Sequence, residues 1–291
     1  MGAKADTGAT LPGASLIEQL EPVVGAPVRL EVLRQKTGRR CTYRAHGSVR
    51  NAIVKVYAPG RARAVAERLQ ALAEGPTEPR IPEVLWVSGD EVVALSEIEG
   101  TPLRAAVLAG DAIGCRRAGA VLGFWHRFWR DRAPSGFVAH SFERELAILQ
   151  LHAEQASEPV AAAVRFALDA VEEDDEWQPS TVVHRDLWEE QLLLGDDVGL
   201  IDLDDAALGP PELDVGNLCA HLELLARRYQ RDLDPMQRAF LDGYLSSGAP
   251  LELPLLLRSR SLSLLRLACI HRTDELATAY LGSAWPPPMS A

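Results

Sequence analysis

Lysine is nearly absent from this chain. Lys4, Lys36 and Lys55 are the only three, and almost all of the positive charge is arginine. Cysteine is scarce as well. Cys41, Cys115, Cys219 and Cys269 are far apart and form no C-x-x-C pair. That spacing argues against a thiolate metal site or a disulfide framework, and reads as four reduced thiols in a cytoplasmic protein. No apolar run approaches the length needed to cross a bilayer, so no membrane span is expected. The first residues, Met1 to Gly13, are small and polar and lack the apolar segment of a signal peptide; they read as a flexible tail. A net charge of −11 lacks the clustered positive charge of a nucleic-acid-binding face. It is compatible with a cationic small substrate, though most acidic proteins are merely soluble. There is no internal repeat and no long low-complexity stretch.

With so few lysines, the position of each carries weight. Lys4 falls in the tail and Lys36 at a turn. Lys55 sits inside Ala52-Ile53-Val54-Lys55-Val56-Tyr57, an apolar β-branched strand where a charge needs a partner or a job. A lysine that snorkels to solvent is the plain alternative.

The 291 residues are enough for two lobes and a large core. The first hundred are strand-rich. Val28 to Gln35 alternates as a strand, Lys36 to Arg40 turns, and Cys41 to Ala45 and Ala52 to Tyr57 follow as strands. Arg61 to Glu74 has helical periodicity through Val65, Leu69 and Leu72 and stops at Gly75-Pro76. Val84 to Val87 and Val92 to Ile98 form a hairpin around Gly89-Asp90. Helices dominate thereafter. Ala112 to Trp129 is expected to bury Ala120, Val121, Phe124 and Phe128. Further helices are expected at Phe142 to Ala156 and Val160 to Glu172, and within Leu213–Tyr229, Asp234–Leu245, Leu255–Cys269 and Asp274–Leu281. Two short strands around residues 184–202 interrupt them. The expected class is therefore α+β: a tail over 1–13, a small antiparallel-sheet lobe with one helix over 14–100, and a large, mainly helical lobe over 101–291. A nucleotide cleft is expected between the lobes.

The most specific stretch is Val182-Val183-His184-Arg185-Asp186-Leu187-Trp188-Glu189-Glu190-Gln191-Leu192-Leu193-Leu194, followed by Gly199-Leu200-Ile201-Asp202-Leu203-Asp204. It reads as an apolar strand, a polar loop, a strand, a turn and a strand ending in acid. A carboxylate that can face a hydroxyl, with two oxygen ligands for a hard cation, is the equipment of phosphoryl transfer. The spacing is that of a kinase catalytic loop, His-Arg-Asp with a metal ligand five residues after the Asp.

Each part of that chemistry has a candidate. Asp186 would take the proton of the attacking hydroxyl. Gln191 and Asp202 would hold Mg2+. Lys55 would contact the nucleotide phosphates, with Glu67 on the following helix as its ion-pair partner and Glu74 as the alternative. The backbone at Glu97 and Ile98 would bind the base, and the turn at Gly38 would cover the phosphates. A plain hairpin turn accounts for Gly38 equally well. His184 reads as a brace for the loop. Asp214 reads most simply as a helix N-cap, with bracing of the loop as the other possibility. The acid run Glu172 to Glu176 and the loop acids Glu189, Glu190 and Asp205 are places where an amine could be held. A solvated loop is the plainer reading of the acid run. Trp125 and Trp129 read as core.

Those residues resemble the aminoglycoside phosphotransferase family, which includes choline-kinase-like small-molecule kinases. The likeness runs from about Leu30 to His221. It rests on Val54-Lys55-Val56-Tyr57, the helix with Glu67, Ser96-Glu97-Ile98-Glu99-Gly100-Thr101-Pro102-Leu103 and Leu122-Gly123-Phe124-Trp125-His126. It rests most of all on His184-Arg185-Asp186-Leu187 with Gln191, and on Ile201-Asp202-Leu203-Asp204 followed by Gly209-Pro210 and Asp214. The resemblance implies a protein-kinase-like fold, ATP or GTP as donor, Mg2+, and a small hydroxyl-bearing acceptor. By position it implies base duty for Asp186, metal binding for Gln191 and Asp202, and phosphate contact for Lys55.

Two positions depart from the family pattern. Arg185 stands where the family usually has Gly, and Gln191 where it has a metal-binding Asn. Glutamine offers the same carbonyl oxygen one carbon further out, and magnesium tolerates geometric error poorly. A competing reading follows from that change: a nucleotide-binding or inert pseudokinase that works through a protein partner. A protein kinase fits less well, because Leu203-Asp204 rather than Phe-Gly follows Asp202, and no Ala-Pro-Glu segment is present.

Overall fold

The computed structural model describes residues 14–36, 40–130, 132–169 and 177–273. Gly38, the tail over 1–13, the acid run 172–176 and the helix expected over 274–281 lie outside the described residues. Contacts divide the chain into two compact units. One comprises Met1–Gly75 with Arg80–Glu99, the other Pro76–Pro79 with Gly100–Ala291.

The first unit is built on one antiparallel sheet. Its elements are α1 (Ala14–Val24), β1 (Arg29–Lys36), β2 (Arg40–His46), β3 (Asn51–Tyr57), α2 (Ala62–Leu72), β4 (Val84–Ser88) and β5 (Val92–Ser96). The strand order is β1-β2-β3-β5-β4. Strand alternation divides the side chains between two faces. Cys41, Tyr43, Ala45, Ala52, Val54 and Ala94 pack together with Leu16, Leu20 and Val24 of α1. Lys55 points to the other face, in register with Thr42 on β2 and Val93 on β5. Helix α2 packs on β3, β4 and β5 and buries Ala62, Val65, Ala66, Leu69 and Leu72. Among the described residues the unit thus carries two helices where one was expected. The apolar spacing of α1 at Leu16, Leu20 and Val24 is a helical i, i+4, i+8 stripe, but the segment is short and contains Pro22.

The second unit begins with β6 (Thr101–Pro102), α3 (Leu103–Ala109) and α4 (Ala112–Trp129). It continues through α5 (Phe142–Ala153), α6 (Glu158–Asp169), β7 (Thr181–Val183), β8 (Leu192–Leu194) and β9 (Val198–Leu200) to a 3-10 turn (Leu203–Asp205). It ends with β10 (Ala207–Gly209), α7 (Pro211–Tyr229), α8 (Asp234–Ser246) and α9 (Leu253–His271). Among the described residues the short strands form two small sheets, β6-β8-β9 and β10-β7, where only two strands were expected. Strands of two or three residues leave too little alternation to be read from sequence. The main core joins α5, α6, α7 and α9 through residues such as Leu149, Val164, Leu213, Leu224, Leu264 and Leu265.

Helix α4 differs from expectation in its buried face. Cys115, Ala118, Leu122, Trp125 and Trp129 are buried, whereas Phe124 is 39% exposed. Val121 and Phe128 are only half-buried. The buried side is set by close packing on α8. A Cβ on Gly119 would lie 1.9 Å from the Phe240 carbonyl oxygen, and one on Gly243 would lie 1.9 Å from that of Arg116. Small residues at the crossing, not the bulkiest ones, therefore mark the contact. Among the described residues no helix is long and apolar enough to cross a membrane.

Candidate active site

Residues 184–191 form the loop that joins β7 to β8. Its start is held by Asp214. The Asp214 carboxylate is fully buried and accepts the backbone N–H of His184 at 2.6 Å and that of Arg185 at 2.8 Å. Asp214 lies inside α7, whose N-cap is Pro210, so it braces the loop and is not the cap. Arg185 adopts φ of +74°. An L-residue pays about 1–2 kcal/mol for that left-handed conformation, whereas Gly adopts it freely. The backbone therefore explains why glycine suits this position. Arg185 is also half-buried, with an Nε that has no hydrogen-bond partner.

His184 ties the loop to the segment bearing Asp202. Its Nε2 donates to the Ile201 carbonyl at 2.8 Å, and its Nδ1 accepts the Asp186 N–H at 3.3 Å. Both contacts together select the tautomer protonated at Nε2. The Ile201 N–H in turn donates to the Gln191 carbonyl at 3.0 Å. Residue 201 is thus stitched to both ends of the loop. Asp202 follows with φ of +63°, a conformation that Asp tolerates better than most residues. Asp186 is exposed, and Leu187 beside it is fully buried and anchors the turn. Gln191 is buried, and its Oε1 accepts the Trp188 N–H at 3.2 Å.

A second layer of buried polar groups supports this loop. Asn217 Nδ2 donates to the Leu187 carbonyl at 2.8 Å. Arg266 on α9 donates to Asn217 Oδ1 at 2.6 Å and to Glu145 Oε1 at 3.2 Å. Glu145 Oε2 lies 2.8 Å from His140 Nε2. Burial works to raise the Glu145 pKa, but Arg266 and His140 outweigh it and hold the carboxyl below its usual range. His126 bridges Asp214 at 3.1 Å and the Tyr244 hydroxyl at 2.9 Å. Burial pushes the Tyr244 phenol well up, which keeps it a donor. Sequence reasoning named none of Asn217, Arg266, Glu145, His140 or Tyr244. The available signal was the polar residue at an otherwise apolar helix position, as with Asn217 within α7.

On the outer side of the loop, Trp188 packs on His221 of α7 with ring centroids 5.8 Å apart. Glu190 pairs with Arg104 at 2.8 Å, and Arg104 also donates to the Tyr229 hydroxyl at 2.9 Å. Glu189 is buried, and burial raises its pKa. Burial pushes the His221 imidazole down to about 3, with Arg266, His271 and Arg228 adding to the effect.

The other candidates lie in the first unit. Lys55 is buried, 6% exposed, on the sheet face opposite α1. Glu67 is on the solvent side of α2. The β3–β5 ladder ends at Ser96, so Glu97 and Ile98 lie just beyond it. The Glu97 side chain is engaged by Arg44 at 2.7 Å, and Ile98 is half-buried.

A model of the phosphotransferase enzyme family matches residues 31–254. That span includes both strand-borne and loop-borne candidates. The chain belongs to the phosphotransferase enzyme family. No curated protein matches its sequence. Among solved structures it is similar to a choline kinase from Cryptosporidium parvum Iowa II, with 11% identity, a TM-score of 0.66, and coverage of 92% of this chain and 94% of that one. An amicoumacin kinase solved with AMP-PNP and Ca2+ gives 12% identity and a TM-score of 0.65 over 97% of this chain and 89% of the other. An aminoglycoside-3'-phosphotransferase of type VIII gives 20% identity and a TM-score of 0.61 over 82% and 93%. These likenesses establish the α+β, protein-kinase-like fold of this family member.

Proposed function

We propose that this phosphotransferase moves the γ-phosphoryl group of ATP or GTP to a hydroxyl of a small molecule in the cytoplasm. The observation that carries the reading is the stitched loop. His184 and Gln191 both bond to Ile201, which fixes Asp202 in the chain next to the segment that presents Asp186.

The donor set fits a magnesium ion that arrives with the nucleotide. Gln191 Oε1 and the Asp202 carboxylate are hard oxygen donors, and the Trp188 N–H occupies one lone pair of the amide oxygen. Among the described residues no cluster of three or more His, Cys, Asp or Glu forms an all-protein metal site. Mg2+ is commonly bound by one or two protein oxygens plus phosphate and water. Bound there, it would neutralise charge on the phosphate oxygens. Lys55 would add a point charge at the phosphates, and the backbone at Glu97 and Ile98 would bind the base, while Glu67, exposed on α2, is not in the ion pair with Lys55 that was expected. Asp186 would accept a hydrogen bond from the acceptor hydroxyl and take its proton as the oxygen attacks. The products would be the phosphoester and the nucleoside diphosphate. The His184 and Asp214 bonds keep Asp186 oriented, so little reorganisation is needed during transfer.

The amide at Gln191 supports a second reading. Its Oε1 is already engaged by Trp188, so the chain could bind nucleotide without transferring phosphate and act through a protein partner. Calorimetric titration with ATP and GTP, with and without Mg2+, tests both. Mg-dependent binding that weakens in Asp202→Ala, with turnover lost in Asp186→Asn, supports transfer. Binding without phosphorylation of any acceptor supports the second reading. No nucleotide binding rules out transfer and favours an inert scaffold that works through a protein partner.

A further inference from the structure

Resting on the reading of Asp186 as the group facing the acceptor, we infer that the acceptor is an uncharged polyhydroxy molecule, a sugar or polyol, seated on Trp188 and His221. The net charge of the chain and its loop acids suggest an amine at first sight. The local contacts of the loop acids argue otherwise: Glu190 and Asp205 lie against arginines, and Glu189 is buried.

Glu190 forms a 2.8 Å pair with Arg104, so the two together offer no net charge to a ligand. Asp205 lies against Arg185, whose Nη1 donates to the Asp205 carbonyl at 3.4 Å. Glu189 is buried, 4% exposed, with its Oε2 4.0 Å from His221 Nδ1. Long-range attraction from the net charge of −11 fades within about 8–10 Å at moderate salt, so these near contacts decide what rests on the loop.

What remains is flat and uncharged. The indole of Trp188 and the imidazole of His221 are inclined by 34°. An aromatic face with polar groups at its edge suits the apolar face of a sugar ring, with hydroxyls directed at the edge. An independent observation points to a hydroxyl donor. Glu189 Oε2 has no hydrogen-bond partner among the described residues and lies 4.0 Å from His221 Nδ1, beyond hydrogen-bonding distance. A buried carboxylate oxygen without a donor is costly, and a ligand hydroxyl reaching past the rings would satisfy it. A neutral hydroxyl can reach that buried oxygen at a far smaller desolvation cost than an ammonium, which would have to give up the hydration of a full charge.

The test uses the full chain labelled with 15N at its tryptophan indoles, the Trp188 resonance being assigned by its loss in Trp188→Phe. Glucose and maltose serve as uncharged probes, choline and kanamycin as cations, each titrated with and without Mg-AMP-PNP. The expected result is a saturable shift of the Trp188 resonance with at least one uncharged probe and none with the cations. A shift with the cations alone, or with no uncharged probe up to about 50 mM, overturns the inference; affinities of that order correspond to under ~2 kcal/mol of binding. Calorimetry of the same sample with Mg-AMP-PNP reports separately on the phosphotransfer reading. Failure to bind nucleotide would count against that reading while the sugar titration remained interpretable.

Discussion

Asp214 holds His184 by its backbone, accepting the N–H at 2.6 Å from a position thirty residues further along the chain. The same carboxylate takes the Arg185 N–H at 2.8 Å. Removing it in Asp214→Ala strands two backbone donors, each costing about 1–3 kcal/mol when left unsatisfied. We expect a loss of stability of roughly 3 kcal/mol or more, seen as a lower urea midpoint with an unchanged m-value. Asp214→Asn keeps one acceptor oxygen and should lose less. An alanine variant as stable as the parent would contradict the bracing role.

The left-handed backbone at Arg185 makes an unusual ordering of substitutions. At an ordinary loop position alanine is at least as good as glycine. Here φ is +74°, so Arg185→Gly should exceed Arg185→Ala in stability by about 1 kcal/mol. Thermal unfolding of the two variants side by side decides it. Equal melting temperatures would mean that the loop relaxes out of the left-handed region.

Arg266 joins two buried acceptors, Glu145 and Asn217. Arg266→Met removes the guanidinium while keeping much of the volume. The Glu145 carboxylate, 3% exposed, then loses its strongest counter-charge. Breaking such a pair on one side typically costs about 3–5 kcal/mol. Asn217 also loses the donor that orients its amide toward the Leu187 carbonyl, so the cost in turnover should exceed that of a distant variant of equal stability. Guanidinium unfolding together with acceptor kinetics at a temperature well below melting separates the two effects.

Local grammar made much of this molecule legible. The alternation of Ala52 to Tyr57 placed Lys55 on a strand, and the structure puts it in β3 between β2 and β5. The spacing from His184 to Asp202 was equally readable, because a strand, a loop and a hairpin each leave a sequence signature. The supports of the loop were not readable. Asp214 near the start of an apolar helix looks like a cap, since capping depends on neighbours in sequence, while its actual partners are thirty residues away. Arg266, Asn217 and Glu145 belong to three different helices. Nothing local to any of them announces the others. The buried face of α4 departs from the sequence pattern for a related reason. Bulk predicts burial, but the closeness of α8 rewards Gly119 and Gly243 and leaves Phe124 outside.

His221 gives a pH dependence whose sign can be worked out. Burial holds its imidazole neutral in the folded chain, down to about 3, against an ordinary value of 6.5. The unfolded chain therefore binds the proton first. Stability is fully present above pH ~6.5 and declines as the pH falls from there toward 3, because protons favour the unfolded state. Glu145, whose folded pKa is lowered, adds a further loss in the same direction below its ordinary value of 4.5. Between pH 6.5 and 5 the histidine acts before the carboxylate does. His221→Asn removes that titration while leaving Glu145 in place. The melting temperature of the variant should consequently fall less than that of the parent from pH 7 down to about 3, and only below about 3 should the two fall in parallel. Identical slopes across the upper range would show that His221 is solvated enough to take up its proton in the folded chain.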